Sequence, residues 1–250
     1  MTEPWEPSFN FYLAQLDGSA VSFVVDLNAQ RLETHPIRLQ VRVPLLTPRD
    51  DGLRAQAELK PMSDVEDQVV ERLTMALDAV YVGRFTTKGE TTFVFYVPET
   101  SRAKLEGVPH FIGDLERYTF QYLTAEDPSW SFYTEFLYPD PYALQGILNR
   151  TLVDSMASNG DQLSVPRELD HLALFKTPEA ALAAGETLRA KGYRVDPLPG
   201  PDEQGIYALE FHRRDPLSGE RPDEVVVEIL DVVLPLEGKY DGWGCALVRN

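Results

Sequence analysis

The sequence predicts an α+β protein of two α/β sandwich domains with mainly antiparallel sheets. Three observations lead there. Strand-like runs come in pairs around two-residue turns, Asp17-Gly18 and Lys88-Gly89, both hairpin signals. Segments with apolar residues at helical spacing follow those pairs, which puts helices on one face of a sheet. A proline-broken junction, Tyr138-Pro139-Asp140-Pro141, divides the 250 residues into two lengths of ordinary domain size, 1–140 and 141–250.

In the first domain, Phe9–Leu16 and Ser19–Leu27 form a hairpin across Asp17-Gly18. Ile37–Leu45 is a third strand, with Ile37, Leu39, Val41 and Val43 on one face and Arg38, Gln40 and Arg42 on the other. After a turn at Asp50-Asp51-Gly52, Ser63 and Glu66 read as a capping box. Behind it, Val65, Val69, Leu73, Ala76 and Leu77 make a helical stripe. The acidic group Asp64, Glu66, Asp67 and Glu71 suits a helix N-terminus and a solvated face. Val80–Thr86 and Glu90–Val97 pair across Lys88-Gly89. Ser101–Leu115 reads as a short helix interrupted near Gly107-Val108-Pro109, and Arg117–Thr124 and Trp130–Tyr138 as strands around Asp127-Pro128.

In the second domain, Asp140 caps a helix with Pro141 at its first position. Leu144, Ile147, Leu148, Leu152 and Met156 form its stripe, and Asn159-Gly160 ends it. Glu168–Phe175 is a strand, Thr177-Pro178-Glu179 opens an alanine-rich helix closed at Gly192, and Tyr193–Pro197 and Gly205–Arg213 are strands. Val225-Val226-Val227 favours a strand locally. The spacing of Val226, Ile229, Leu230, Val233 and Leu234 instead makes Pro222–Leu234 a helix. Tyr240–Val248 closes the domain as a strand, with a tight turn at Asp241-Gly242 and a plain run from Cys245 to Val248. The series after the first helix is β-α-β-β-α-β, a ferredoxin-like order with strands expected as 4-1-3-2.

The net charge is −17, from 40 acidic and 23 basic residues in the whole chain. Such a field repels phosphate backbones, and Arg213-Arg214, beside Asp215, is the only basic pair; direct nucleic-acid binding is not expected. The acidic surface instead suits a basic protein segment. One cysteine, Cys245, allows no internal disulfide. The polar stretch Met1–Pro7 has no signal-peptide core, and no apolar run reaches the length of a membrane span, so a cytoplasmic protein without membrane contact is expected.

The C-terminal half resembles a known family. Asn159-Gly160-Asp161, Pro166-Arg167, Asp170-His171, Lys191-Gly192-Tyr193, Asp223-Glu224-Val225 and the closing Tyr240-Asp241-Gly242-Trp243 are similar to the pattern of RraB-like proteins, regulators of ribonuclease E activity. The resemblance covers roughly 141–250. It implies an acidic, non-catalytic ferredoxin-like module that binds a ribonuclease and lowers its activity. Residues 1–140 resemble an uncharacterised domain family found fused ahead of such domains. The cues are Trp5, Asp51-Gly52-Leu53, Glu66-Asp67, Val82-Gly83-Arg84 with Thr86, and Phe95-Tyr96.

Candidates for chemistry are few. His35, His110, His171 and His212 show no metal-ligand spacing, so no metal or cofactor is expected. His171 and His212 fall on neighbouring strands and could meet, with Asp170 or Cys245 nearby, as an acid–base pair. Cys245 reads as a small buried hydrophobe. The residues expected to carry binding are Asp170, His171, Tyr240, Asp241, Gly242 and Trp243. The Trp243 ring is expected to cover one end of the second sheet, against its neighbouring strand and the 177–191 helix. The sequence thus predicts a non-catalytic acidic regulator, monomeric or homodimeric, that binds a basic segment of an RNA-processing enzyme. Alternatives are a small-ligand binder or enzyme using an interdomain cleft, and an immunity-type protein against a basic toxin.

Overall fold

Asp17 and Gly18 both take positive φ (49° and 74°), the backbone that a two-residue hairpin needs between β1 (Phe9–Leu16) and β2 (Ser19–Asp26). Lys88 and Gly89 do the same (51° and 81°) between β4 (Val80–Thr87) and β5 (Glu90–Val97). The structure, a computed structural model, describes residues 5–249; the first four residues of Met1–Pro7, the stretch expected to hold no signal-peptide core, lie outside them. The chain divides into two compact units at Pro139–Asp140.

The first unit holds a six-stranded antiparallel sheet, β1-β2-β4-β5-β3-β6, with β3 at Ile37–Pro44 and β6 at Gln121–Glu126. Helix α1 (Gln56–Leu77) lays Met62, Val65, Val69, Leu73 and Leu77 on one face of it, against Leu39, Val41, Phe93 and Phe95. The alternation expected in β3 and the stripe expected in α1 are both found.

Three expectations for this unit fail. Ser63 and Glu66 are not a capping box, because α1 begins seven residues before Ser63, at Gln56. Its first turn is held by buried Glu58, whose carboxylate accepts from the Leu46 and Thr47 amides (2.7 and 3.1 Å). Glu66 turns to the Tyr81 hydroxyl and Arg84 instead. Arg117–Thr124 is not one strand, since Glu116 (φ 58°) turns the chain between Leu115 and Tyr118 and β6 starts at Gln121. The helix expected over Ser101–Leu115 with an interruption near Gly107 is found as a 3-10 segment, Glu99–Gly107, that passes into α2 (Val108–Ile112). Trp130–Tyr138 is not a strand either: Phe132–Leu137 is a π-helical segment. Asp127 is the cause. Its carboxylate accepts from the Ser131 and Phe132 amides (2.8 and 3.0 Å) and from the Tyr96 hydroxyl (2.6 Å), which satisfies the helix-start donors. The mixed aromatic pattern then packs as helical neighbours, Phe132 against Phe136 at 4.7 Å.

In the second unit, Asp140 caps α3 (Pro141–Ser158) by accepting from the Ala143 amide at 2.8 Å. Then follow β7 (Arg167–Phe175), α4 (Pro178–Ala190), β8 (Arg194–Val195), β9 (Tyr207–Asp215), α5 (Arg221–Val233) and β10 (Lys239–Gly244). The sheet order is β10-β7-β9-β8, all antiparallel, which is 4-1-3-2 in its own strand order. Ala181, Ala184 and Leu188 of α4 and Val226, Ile229 and Val233 of α5 pack on Ala173, Phe175, Leu209 and Phe211. The valine run of α5 is therefore helical, as its spacing demanded. Strand β8 is only two residues long, and β9 begins at Tyr207 rather than Gly205.

Two corrections fall at the C-terminus. Cys245–Val248 is not a strand, because its hydrogen bonds go to a loop. Asp161 accepts from the Val248 amide (2.8 Å), Val248 accepts from the Gln162 amide (2.9 Å), and Arg167 binds Asp161 at 2.6 Å and the Ala246 carbonyl. Asp161 and Arg167, two residues of the resemblance pattern, thus anchor the chain end. Asp241-Gly242 is not a tight turn but a bulge inside β10, between Tyr240 and Gly242.

Candidate functional site

Side chains on a strand alternate between faces. On β7, His171 points to the helix-covered face and Asp170 to the open one, and the pairing Asp170↔His212 and His171↔Phe211 passes that alternation to β9. The two histidines therefore do not meet. The acid–base pair that adjacent strands suggested is absent, since one register step puts its members on opposite faces.

On the covered face, His171 is 2% exposed. Its Nδ1 shares a 2.8 Å hydrogen bond with the Tyr240 hydroxyl, its ring stacks on Phe211 at 5.3 Å, and Tyr193 meets it edge-on at 5.8 Å. Its Nε2 is buried without a hydrogen-bond partner among the described residues. Burial, reinforced by Arg213, lowers its pKa to about 4, so the ring is neutral at pH 7. Burial likewise raises the Tyr240 hydroxyl well above the ordinary phenol range.

The β10 bulge explains why Tyr240 and Trp243, three residues apart, serve the same face. Tyr240 pairs with Ala173 and Trp243 with His171, both inward-facing positions, and Asp241 is the extra residue between them. Gly242 takes φ 112°, a conformation that L side chains rarely adopt, which is why a glycine stands there. Asp241 turns outward to Lys239 at 3.3 Å. Half-buried Trp243 donates its indole N–H to Asn149 Oδ1 at 2.7 Å, and Asn149 Nδ2 donates to Asp223 Oδ1 at 2.7 Å. The indole is thereby tied to α3 through Asn149, and its ring also packs toward Met156, Leu169 and Leu217. Trp243 also packs against the cluster that holds Ala181, Ala184 and Leu188 of the expected 177–191 helix, while its hydrogen bond goes to α3.

Asn149 was missed in the sequence, where Leu148 and Leu152 marked the inner face of α3. Those leucines are exposed, whereas Gln145 and Asn149, four residues apart, are buried. A polar pair at that spacing inside an apolar stripe was the available signal.

On the open face, His212 is clamped between two carboxylates, Nδ1 to Asp170 Oδ1 at 2.6 Å and Nε2 to Asp196 Oδ2 at 3.1 Å. Burial opposes its charge, but the hydrogen bonds it donates to both carboxylates outweigh burial and raise its pKa. Glu168 and Glu210 add acid on the same face, so the ligand atoms of Glu168, Asp170 and His212, and of Asp196, Glu210 and His212, lie within 4.8 Å of one another. Both ring nitrogens already face carboxylates, an arrangement that suits an imidazolium; a metal would have to displace its proton. Cys245 is half-buried, and burial raises its thiol pKa, the wrong direction for a nucleophile. Among the described residues, no helix is long and apolar enough to cross a membrane.

Comparison with known proteins gives two family matches. The model described as "Family of unknown function (DUF695)" matches residues 7–138, and that described as "Regulator of ribonuclease activity B" matches residues 147–245. The expected succession of an uncharacterised domain and an RraB-like domain is thus found. No curated protein matches the chain. Among solved structures, one described as a glycine cleavage system transcriptional repressor has 6% identity and a TM-score of 0.24, covering 86% of this chain and 98% of its own. An unknown protein from Galdieria sulphuraria has 11% identity and a TM-score of 0.23, covering 84% of this chain and 99% of its own. At such TM-scores neither likeness carries an argument.

Proposed function

We propose, because the chain belongs to the family of unknown function DUF695 and carries a domain of the family regulator of ribonuclease activity B, that it is a non-catalytic regulator acting by protein–protein binding. Its partner is a ribonuclease E-type RNA-processing enzyme in the cytoplasm, and residues 141–250 make the contact. The observation that carries this reading is the match over residues 147–245. The strand order β10-β7-β9-β8 supports a ferredoxin-like sandwich for that part.

The open face of this sheet is the docking surface in this reading. Glu168, Asp170 and Glu210 are exposed there around the clamped His212, in a chain of net charge −17. An acidic face of this kind steers and orients a basic partner segment. The covered face, by contrast, spends His171, Tyr240 and Trp243 on structure, and Gly242 shapes the bulge, so of the six candidate residues only Asp170 and Asp241 offer outward side chains. Affinity capture from the native cell with mass spectrometry tests the proposal, using the full chain and its Glu168→Gln/Glu210→Gln form. The natural chain should enrich a ribonuclease of this type and the variant should lose it. Equal recovery by both forms, or no RNA-processing enzyme above a charge-matched control, would overturn the reading.

A further inference from the structure

Helix α1 covers the sheet of the first unit only as far as β4. Beyond it, on the flank formed by β1 and β2, Phe11 and Leu13 of β1 and Leu59 of α1 line a groove of about 430 Å³, together with Leu53, Arg54 and Arg84. Leu13 is 60% and Leu59 44% exposed. The volume lies within the range of small-molecule sites, about 300–1,000 Å³.

Arg54 gives the groove its chemistry. Its Nε donates to Thr91 Oγ1 at 3.1 Å, and its Nη2 is shut off from solvent with no acceptor. Among the described residues it has no carboxylate partner, although the chain has 40 acidic residues. The nearby acids are taken: Glu58 by the Leu46 and Thr47 amides, Glu66 by Tyr81 and Arg84, and Asp51 by Arg49 at 2.6 Å. Burial and the neighbouring Arg84 lower the Arg54 pKa to about 10, so the local environment disfavours a cation that lacks an anion.

We propose that this groove binds a small organic carboxylate with an apolar tail, its headgroup against Arg54 and its tail along Phe11, Leu13 and Leu59. Arg54 lines the groove, so a carboxylate there supplies the opposite charge that the guanidinium lacks, and apolar walls reward a hydrocarbon tail. The acidic field of the chain, with Asp51 at the rim, disfavours a dianion such as phosphate. This inference is independent of the ribonuclease reading and gives the DUF695 part a role of its own.

The test is calorimetric titration of the full chain with octanoate. Octanol and octylammonium share the tail, and inorganic phosphate supplies a headgroup alone. Octanoate should saturate the site while the other three bind at least about tenfold more weakly, because octanol and octylammonium lose the charge-assisted pair and phosphate loses the apolar tail. Leu59→Asp alters an exposed wall and should weaken octanoate by about tenfold without lowering the melting temperature. Arg54→Met should remove the preference for octanoate over octanol; should it fail to fold, Leu59→Asp decides alone. Absence of saturable octanoate binding, equal affinity for octanol in the natural chain, or unchanged octanoate affinity in Leu59→Asp would refute the proposal.

Discussion

Replacing Trp243 by phenylalanine keeps an aromatic ring at the sheet edge but removes the N–H that reaches Asn149 Oδ1 at 2.7 Å. Asn149 is 3% exposed, so its carbonyl oxygen then has no water to turn to. An unsatisfied buried acceptor costs about 1–3 kcal/mol. For a chain of this length, that lowers the melting temperature by roughly 3–10 °C. Trp243→Ala should cost more than Trp243→Phe, yet fall below the ~3–5 kcal/mol of a fully buried tryptophan, because the ring is half-exposed. A double-mutant cycle with Asn149→Leu isolates the bond. The two single changes should couple by about 1 kcal/mol, since removing both partners leaves nothing unpaired. Denaturant melts of the four proteins measure this. Additive effects, or a Trp243→Phe protein that melts like the natural one, would refute the reasoning.

His171 is buried neutral, with a pKa lowered from 6.5 to about 4. The unfolded chain therefore takes up a proton first as pH falls. Stability should drop by about 3 kcal/mol between pH 6.5 and 4 on this account, and His171→Phe should flatten that slope. His212 has the opposite sign: its raised pKa stabilises the fold below its unfolded value, and that contribution disappears as pH rises through its folded value. His212→Gln should remove this second component in a pH series of melts. Elemental analysis of the purified protein should find no stoichiometric zinc; zinc at one per chain that disappears in His212→Ala would assign a metal to the set Glu168, Asp170 and His212. Anisotropy titration with RNA and DNA at about 0.15 M salt should give no submicromolar binding; such binding would overturn the reading of net charge −17.

Where periodicity and turn chemistry agreed, the sequence was readable. Both hairpins, β3, α1, the Asp140 cap and α5 follow from local patterns that tertiary packing reinforces. Where one side chain redirects the backbone, pattern failed. Asp127 makes a π-helical segment of what looked like an aromatic strand, because its carboxylate supplies the acceptor that helix-start amides need. Glu58 ties the first turn of α1 to the Leu46 and Thr47 amides, 12 and 11 positions earlier in the chain, a contact that no helical pattern announces. Asp161 and Arg167 draw Cys245–Val248 away from the sheet by contacts 87 and 79 positions distant in the chain, which no window of local sequence contains.

The candidate site was legible as a set of residues but not as an arrangement. Tyr240, Gly242 and Trp243 do belong together, yet a bulge rather than a turn unites them. His171 and His212 were placed on the correct neighbouring strands, and a register of one residue separated them. Pattern reading placed β7 and β9, whereas side-chain faces depend on register, which is set by pairing across the sheet.

The central claim, a non-catalytic regulator of a ribonuclease E-type enzyme, is tested most directly by titrating the full chain into a purified ribonuclease of that type during cleavage of a defined RNA. The account predicts that cleavage falls in proportion to added chain until one complex is saturated, and that Glu168→Gln/Glu210→Gln weakens the effect. A cleavage rate unchanged under a large excess of the chain, with no complex on size-exclusion chromatography, would contradict it.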